Sequence, residues 1–173
     1  KNSHIPFSVF KITGLGKSSI LKKANKGIHH LNEEEKKSYD AISVRVDEIC
    51  AKAYSLNVPV FIDAEDSWFQ DVIDFLAEKM IEKYNKKTII VYNTIQLYRH
   101  DRLDYLKKLH AKCQSLDCLL GVKLVRGAYM EKEREEAVRL EYVDPIHSTK
   151  EATDKDYDLA LQYCIENIKT ISI

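Results

Sequence analysis

Four polar side chains lie at or just beyond the ends of β-rich runs, and their chemistry suits a charged organic ligand. They are two lysines, an aspartate and a glutamine: Lys11, Asp63, Gln96 and Lys123. Parallel strands end at one rim of a sheet, so these groups are expected to converge there. Ammonium, carboxylate and amide groups in one place would bind a ligand that carries both charge and hydrogen-bonding edges.

Each of these residues also has an explanation that needs no ligand. A strand-end lysine such as Lys11 is often paired with an acid, and Asp63 could cap the helix that follows it. Gln96 could be an ordinary loop residue, and Glu65 and Asp66 could be first-turn acids favoured by the helix dipole. Their shared rim is what favours a site.

Lys123 decides between two possible folds. Side chains alternate between the faces of a strand, so Lys123 shares a face with its second neighbours Gly121 and Val125. In an open sheet with helices on both faces, this ammonium group would be buried against apolar side chains at a high cost. Near the mouth of a barrel it would meet a polar ligand instead. The strand therefore favours a barrel.

Strand-like runs alternate with segments of helical period along the whole chain. The runs are 7–12, 58–63, 87–94, 119–126 and the final 170–173. A capping box of Asn32 and Glu35 opens the longest helical segment. This alternation predicts an α/β fold with a parallel sheet, either open and doubly wound or part of a (β/α)8 TIM-like barrel. The barrel is preferred, with 1–173 as a single domain that supplies about the first half of the strands. Segment 22–31 is predicted to be disordered.

A phosphate-binding loop is an alternative at Gly16-Lys17-Ser18, which follows a strand. The full P-loop pattern requires an earlier glycine, and Lys11 occupies its position. The dinucleotide pattern G-x-G-x-x-G also fails here. A P-loop-like NTPase therefore stays a weaker alternative, as does a non-catalytic α/β binding domain whose charged rim is merely solvated.

Composition excludes several classes of protein. Basic and acidic residues balance at 27 each, which argues against a nucleic-acid partner. No apolar run approaches the roughly 18 residues of a membrane span, and segment 1–10 contains no signal-peptide core. Lys1 in place of an initiator methionine suggests a fragment. Four cysteines without a CxxC pair predict buried, reduced thiols and a cytoplasmic type of compartment. The histidines show no metal-ligand spacing, so no metal site is expected.

Five stretches together resemble proline dehydrogenase, in the order and spacing of that family. They are VFKITGLG (9–16), FIDAEDSWFQ (61–70), VYNTIQLY (91–98), GVKLVRGAY (121–129) and EYVDPIHSTKEATDKDY (141–157). The sequences of the fourth and fifth stretches are more similar to those of the monofunctional, eukaryote-like branch than to those of the bifunctional bacterial enzymes. The bifunctional bacterial enzymes often have arginine where Lys123 stands.

The resemblance implies a (β/α)8 barrel that holds FAD at the carboxyl ends of its strands. Such enzymes oxidise L-proline to Δ1-pyrroline-5-carboxylate by hydride transfer to flavin N5. They pass the electrons to a quinone, usually with peripheral contact to a membrane. That location would be the matrix side of the mitochondrial membrane in a eukaryote.

The resemblance also assigns roles to residues. Asp63 and Lys123 would be catalytic, the former organising the polar network and the latter placing positive charge near the flavin. Lys11 and Tyr129 would bind the substrate. The remaining cofactor contacts would be Ala64, Gln96, Arg126, Gly127, Ala128 and Lys150. The family's later strands and its paired substrate-binding arginines are not in these 173 residues, so this chain alone is expected to bind FAD weakly and to be nearly inactive.

Overall fold

The computed structural model describes residues 6–173, and residues 1–5, with Lys1, lie outside that range. The described part contains five β-strands: β1 Ser8–Phe10, β2 Val60–Ile62, β3 Val91–Gln96, β4 Leu120–Val125 and β5 Ile171–Ser172. It also contains six α-helices: α1 Ser18–Ala24, α2 Glu33–Leu56, α3 Ser67–Tyr84, α4 Arg102–Ser115, α5 Met130–Leu140 and α6 Lys150–Glu166. Two 3₁₀ turns, Ile12–Leu15 and Ile28–His30, flank α1.

The strands form one parallel sheet in the order β1-β2-β3-β4-β5. Each strand pairs with the next one along the chain, so the order never reverses. Right-handed crossovers in a single direction place every connecting helix on the same face of the sheet. A doubly wound sheet requires a reversal of strand order, and this sheet has none among residues 6–173. The fold is therefore part of a (β/α)8 barrel, as the sequence predicts.

The two faces of the sheet have different chemistry. The helix-facing side chains of β2 and β4 are apolar, and Val60, Ile62 and Val122 among them are fully buried. On the opposite face, called here the inner face, Phe61 packs on Tyr92 with ring centroids 4.7 Å apart. Polar groups lie above this aromatic layer, nearer the carboxyl ends of the strands. Alternation along each strand thus separates the core from the polar rim.

Helices α3 and α4 share a buried ion pair beneath β3. Arg102 Nη2 lies 2.8 Å from Asp74 Oδ2, and their side chains are 2% and 6% exposed. Asn93 reaches this pair from β3 by donating a hydrogen bond of 2.8 Å to Asp74 Oδ1. The arginine plane also lies 3.9 Å from the centroid of Tyr105. These contacts fix α3 and α4 against the strand that carries Gln96.

The cysteine prediction is confirmed, because all four thiols are buried and unpaired. The expectation of disorder at 22–31 is wrong. That segment contains the end of α1 and a 3₁₀ turn, and Leu21, Ala24 and Leu31 anchor it in the core. Charged residues between these apolar residues obscure the hydrophobic pattern of the segment in the sequence.

The strands are shorter than predicted, and the third is displaced along the chain. Residues 87–90 are not a strand, because Asn85 accepts backbone hydrogen bonds from Ile90 and Val91 and holds the chain in a turn. The strand β3 also ends later than predicted, so Gln96 lies inside the strand and not after it. The helix α5 was not predicted at all, because only Glu133 and Ala137 of its residues are buried.

Candidate active site

Three of the predicted rim residues form one ion cluster. Lys123 Nζ donates to Asp63 Oδ1 at 2.6 Å, and Lys11 Nζ lies 3.1 Å from Asp63 Oδ2. Each carboxylate oxygen therefore faces a different lysine. The strand register explains the meeting. Extended by one residue, the register of β1 and β2 places Lys11 beside Asp63, and Lys123 of β4 pairs with Thr94 of the intervening β3 on the same face. Asp63 does not cap α3, whose N-cap residue is Asp66.

The protonation of the cluster follows from these contacts. Burial by itself would raise the pKa of Asp63, but hydrogen bonds from Lys123 and Lys11 outweigh burial and lower that pKa below its usual value. Burial would lower the pKa of Lys11, but its hydrogen bonds to Tyr129 and Asp63 raise that pKa above its usual value. Asp63 is therefore a carboxylate and Lys11 an ammonium at neutral pH. Two lysines around one aspartate leave a formal charge of +1, which suits an anionic group.

Tyr129 completes the cluster from the loop after β4. Lys11 Nζ donates a hydrogen bond of 2.8 Å to Tyr129 Oη. Tyr129 is the N-cap residue of α5 and adopts the left-handed conformation, with φ 55°. A left-handed backbone is uncommon for a residue that carries a side chain, and it is found most often where the surrounding structure enforces it. The phenol is thus held beside the ammonium group of Lys11.

Gln96 is buried at the same rim and has one unused polar atom. Its Nε2 donates to the backbone oxygen of Glu65 and to Tyr98 Oη, both at 2.7 Å. Its Oε1 is buried and accepts no hydrogen bond from residues 6–173. A buried acceptor without a partner is costly, so this oxygen is suited to an N–H group of a bound molecule. Ala64, which is also buried, lies in the loop beside it.

The loop after β4 forms an exposed part of the rim. Arg126, Gly127 and Ala128 are all exposed, and a cavity of about 330 Å³ opens along residues 128–132. A Cβ atom added at Gly127 would meet only Met130 Sδ, at 3.7 Å. The packing of the described chain thus gives no reason for glycine at this position, and it leaves room for another molecule.

Arg126 and Lys150 meet at a second acidic residue. Both form ion pairs with Asp154 of α6, Arg126 at 3.3 Å. The guanidinium group of Arg126 also lies 4.8 Å from the ring centroid of Tyr157. These two cations form a separate group on the rim, and neither contacts the Lys11–Asp63–Lys123 cluster among the contacts described.

Sequence reasoning missed the contacts that hold the loop between β2 and α3. Glu65 does not belong to the first turn of α3. It accepts from Thr13 through both the backbone amide, at 3.0 Å, and the hydroxyl, at 2.5 Å. From α5, Lys132 pairs with Asp66 at 2.8 Å. The pairs are separated by more than fifty residues, so no local pattern could have indicated them.

The phosphate-loop alternative finds no support in the geometry. Gly16 has an extended backbone, with φ −178°, so its conformation does not require glycine. A Cβ atom there would lie 2.5 Å from Ile42 Cδ1, and close packing explains the residue. In residues 6–173 there is no group of three or more side chains suited to a metal ion. No helix in the described part is long and apolar enough to cross a membrane.

Comparisons with known proteins agree on one family. A family model described as proline dehydrogenase matches residues 11–173. Proline dehydrogenase 1, mitochondrial, from Arabidopsis thaliana is 36% identical over 151 residues, which cover 86% of this chain and 30% of that protein. The human protein of the same name is 33% identical over 162 residues, covering 91% of this chain and 27% of that protein. The chain thus spans less than a third of the length of these relatives.

A solved structure shows the same fold. It is proline utilization A from Bdellovibrio bacteriovorus inactivated by N-propargylglycine, with a TM-score of 0.80 and 25% sequence identity. The match covers 94% of this chain and 16% of that protein. The barrel assignment from strand order and this structural likeness are independent of each other and agree.

Proposed function

Because this chain belongs to the proline dehydrogenase family, we propose that the protein containing it oxidises L-proline to Δ1-pyrroline-5-carboxylate. The observation that carries the proposal is the Asp63 carboxylate bridged by Lys11 and Lys123 at the barrel rim. An amino acid in its zwitterionic form presents a carboxylate, and the net positive charge of this cluster favours that group. Tyr129 beside Lys11 forms a wall for the ring.

The reaction removes a hydride from the ring carbon next to nitrogen and a proton from the nitrogen, which leaves a C=N bond. FAD, when bound, supplies the acceptor for the hydride. Lys11 binds the substrate carboxylate, and Asp63 fixes the direction of both lysine side chains. Because the pKa of Asp63 is lowered, this carboxylate is a poor base at neutral pH. Its role is therefore to orient Lys11 and Lys123 and to balance their charge.

The residues present fit a flavin. Gln96 Oε1 is a buried acceptor without a partner in the described chain, and an isoalloxazine ring offers N–H donors. Lys123 would place positive charge beside the ring and favour its anionic reduced form. Four further positions would lie against the ring and its attached chain: Ala64, Arg126, Gly127 and Ala128. Lys150, on the outer rim, would contact the more distant part of the cofactor.

The electron acceptor is proposed to be a quinone, which is reached by peripheral contact with a membrane. Curated relatives from plants, animals and fungi are named as mitochondrial proteins. For a eukaryotic source we propose the matrix side of the mitochondrial membrane. An assay with a soluble quinone analogue and, separately, an artificial electron-accepting dye would separate acceptor choice from proline oxidation.

The proposal is tested with the protein that contains this chain, purified and reconstituted with FAD. Absorbance at the flavin bands should appear, and L-proline should bleach it under anaerobic conditions. Bound flavin that proline leaves oxidised would refute the proposed substrate. ATP turnover that Lys17→Ala abolishes would instead support the phosphate-loop alternative.

The isolated 173-residue chain is predicted to bind FAD weakly and to turn over little proline. Within residues 6–173, β1 pairs only with β2 and β5 only with β4, so two strand edges are unpaired. Full activity of this purified segment would contradict the prediction.

A further inference from the structure

Glu133 is a fully buried carboxylate that none of the predicted roles includes. It lies in α5 and is 0% exposed. Both of its oxygens are used by one residue, Ser67. The Ser67 backbone amide donates to Oε1 at 2.5 Å, and the Ser67 hydroxyl donates to Oε2 at 2.6 Å. Burial of a carboxylate is costly unless it is hydrogen-bonded, so these contacts of Glu133 are expected to hold part of the structure in place.

Glu133 supplies the cap that α3 lacks. Ser67 is the first residue of α3, and the side chain of the N-cap residue Asp66 makes no capping hydrogen bond. The first amide groups of a helix need acceptors, and negative charge at that end is favoured by the helix dipole. The carboxylate of Glu133 meets both needs from another helix. Its position therefore fixes where α3 begins.

The start of α3 is coupled to the proposed catalytic carboxylate. Ser67 lies four residues after Asp63 in the chain, and hydrogen bonds to neighbouring strands hold the loop between them. The Asp63 amide donates to Phe10 O at 2.9 Å, and Gln96 donates to Glu65 O at 2.7 Å. A shift of Ser67 would therefore displace the loop that carries Asp63.

The other end of this contact is coupled to the proposed substrate wall. Glu133 is one helical turn after Tyr129, and its amide donates to Tyr129 O at 2.8 Å. The left-handed backbone of Tyr129 opens α5, and its phenol accepts from Lys11. Lys11 in turn pairs with Asp63. The contacts thus form a closed ring that joins the ends of β1, β2 and β4.

We propose that Glu133 is a positioning residue of the active site, which sets the distance between Tyr129 and Asp63 by capping α3. This inference rests on the proposed oxidation of proline. Glu133 touches neither substrate nor cofactor and acts through Ser67. A glutamine at 133 can still accept from the Ser67 amide and can donate to its hydroxyl. An alanine can do neither.

The test compares Glu133→Ala, Glu133→Gln and the control Glu135→Ala in the FAD-loaded protein. Glu135 lies on the same helix, is exposed and makes no side-chain hydrogen bond or ion pair within residues 6–173. Glu133→Ala should raise KM for L-proline about tenfold, the effect of one lost orienting hydrogen bond, with kcat within about twofold. Glu133→Gln should recover most of the wild-type KM, and Glu135→Ala should match the wild type.

A second measurement does not depend on turnover. Amide hydrogen exchange at Ser67 should accelerate in Glu133→Ala and stay near the wild-type rate in Glu133→Gln. Unchanged KM and unchanged exchange in Glu133→Ala would overturn the proposal. Loss of flavin together with equal falls in kcat and kcat/KM in Glu133→Ala would also overturn the proposal, because that pattern indicates a purely structural role. A wild-type protein that does not oxidise proline, together with accelerated exchange at Ser67 in Glu133→Ala, would refute the proposed function and leave the capping role intact.

Discussion

The substitution Asp63→Asn tests the central cluster because it removes one charge and almost no volume. Asp63 contacts Lys123 at 2.6 Å and Lys11 at 3.1 Å, with side-chain exposures of 23%, 30% and 44% respectively. Exposed ion pairs contribute about 0–1 kcal/mol, and breaking a buried pair costs about 3–5 kcal/mol. These half-buried contacts lie between the two limits. Asparagine retains one acceptor, so we expect a net loss of about 1–2 kcal/mol in transition-state binding.

That loss corresponds to a fall in kcat/KM of about fivefold to thirtyfold for L-proline. Steady-state kinetics of the FAD-loaded protein measures this fall. Asp158→Asn is the matched control, since Asp158 is exposed and its side chain makes no hydrogen bond or ion pair in the described part of the chain. The variant also raises the charge of the cluster, which by itself would attract the proline carboxylate more strongly. A variant that binds proline more tightly and turns it over at the wild-type rate would refute the orienting role. In that case Asp63 would serve only to balance charge.

Three further changes test the frame and the protonation of the site. Gly121→Ala should destabilise the protein by about 1–3 kcal/mol, because a Cβ atom there would lie 2.7 Å from the backbone oxygen of Val91; thermal unfolding measures this, and an unchanged melting temperature would contradict it. Asp74→Ala should cost about 3–5 kcal/mol, since it leaves the guanidinium group of Arg102 buried without its ion pair; denaturant unfolding checks it, and a loss under about 1 kcal/mol would show that the pair is dispensable. The contribution of Asp63 to stability is present above the unfolded-state pKa of an aspartate and is lost as pH falls through its lowered folded-state pKa; stability measured between neutral pH and pH of about 3 should decline less in Asp63→Asn than in the wild type, and equal declines would refute the assignment.

The convergence of Lys11, Asp63 and Lys123 could be predicted because it depends on two local properties. Side chains alternate along a strand, and parallel strands end at the same rim. Strand order then follows from the short connections between successive elements. For the same reasons, the position of Lys123 in the sequence favours a barrel over a doubly wound sheet.

Features that depend on single polar contacts could not be predicted. The third strand starts late because Asn85 binds the backbone of the β-branched run that follows it. Helix α5 has too few apolar residues to show a helical face, and its Glu133 anchors it to Ser67, which lies 66 residues earlier in the sequence. The hydrophobic pattern ends β3 at residue 94, but the strand extends to Gln96. The contacts of Asn85 and Glu133 are single polar contacts, which hydrophobic periodicity does not indicate.

These distant contacts also support the proposal that Asp63 orients groups and does not move protons. An aspartate that takes a proton needs a pKa raised toward neutrality by burial or by a nearby carboxylate. Asp63 has the opposite surroundings, because Lys11 and Lys123 each supply a hydrogen bond and lower its pKa. The loop that carries it is fixed through Glu65 and Ser67, so a reorientation of Asp63 would break contacts with the segments after β1 and β4. The lowered pKa and the fixed loop therefore favour the proposed orienting role over that of a proton acceptor.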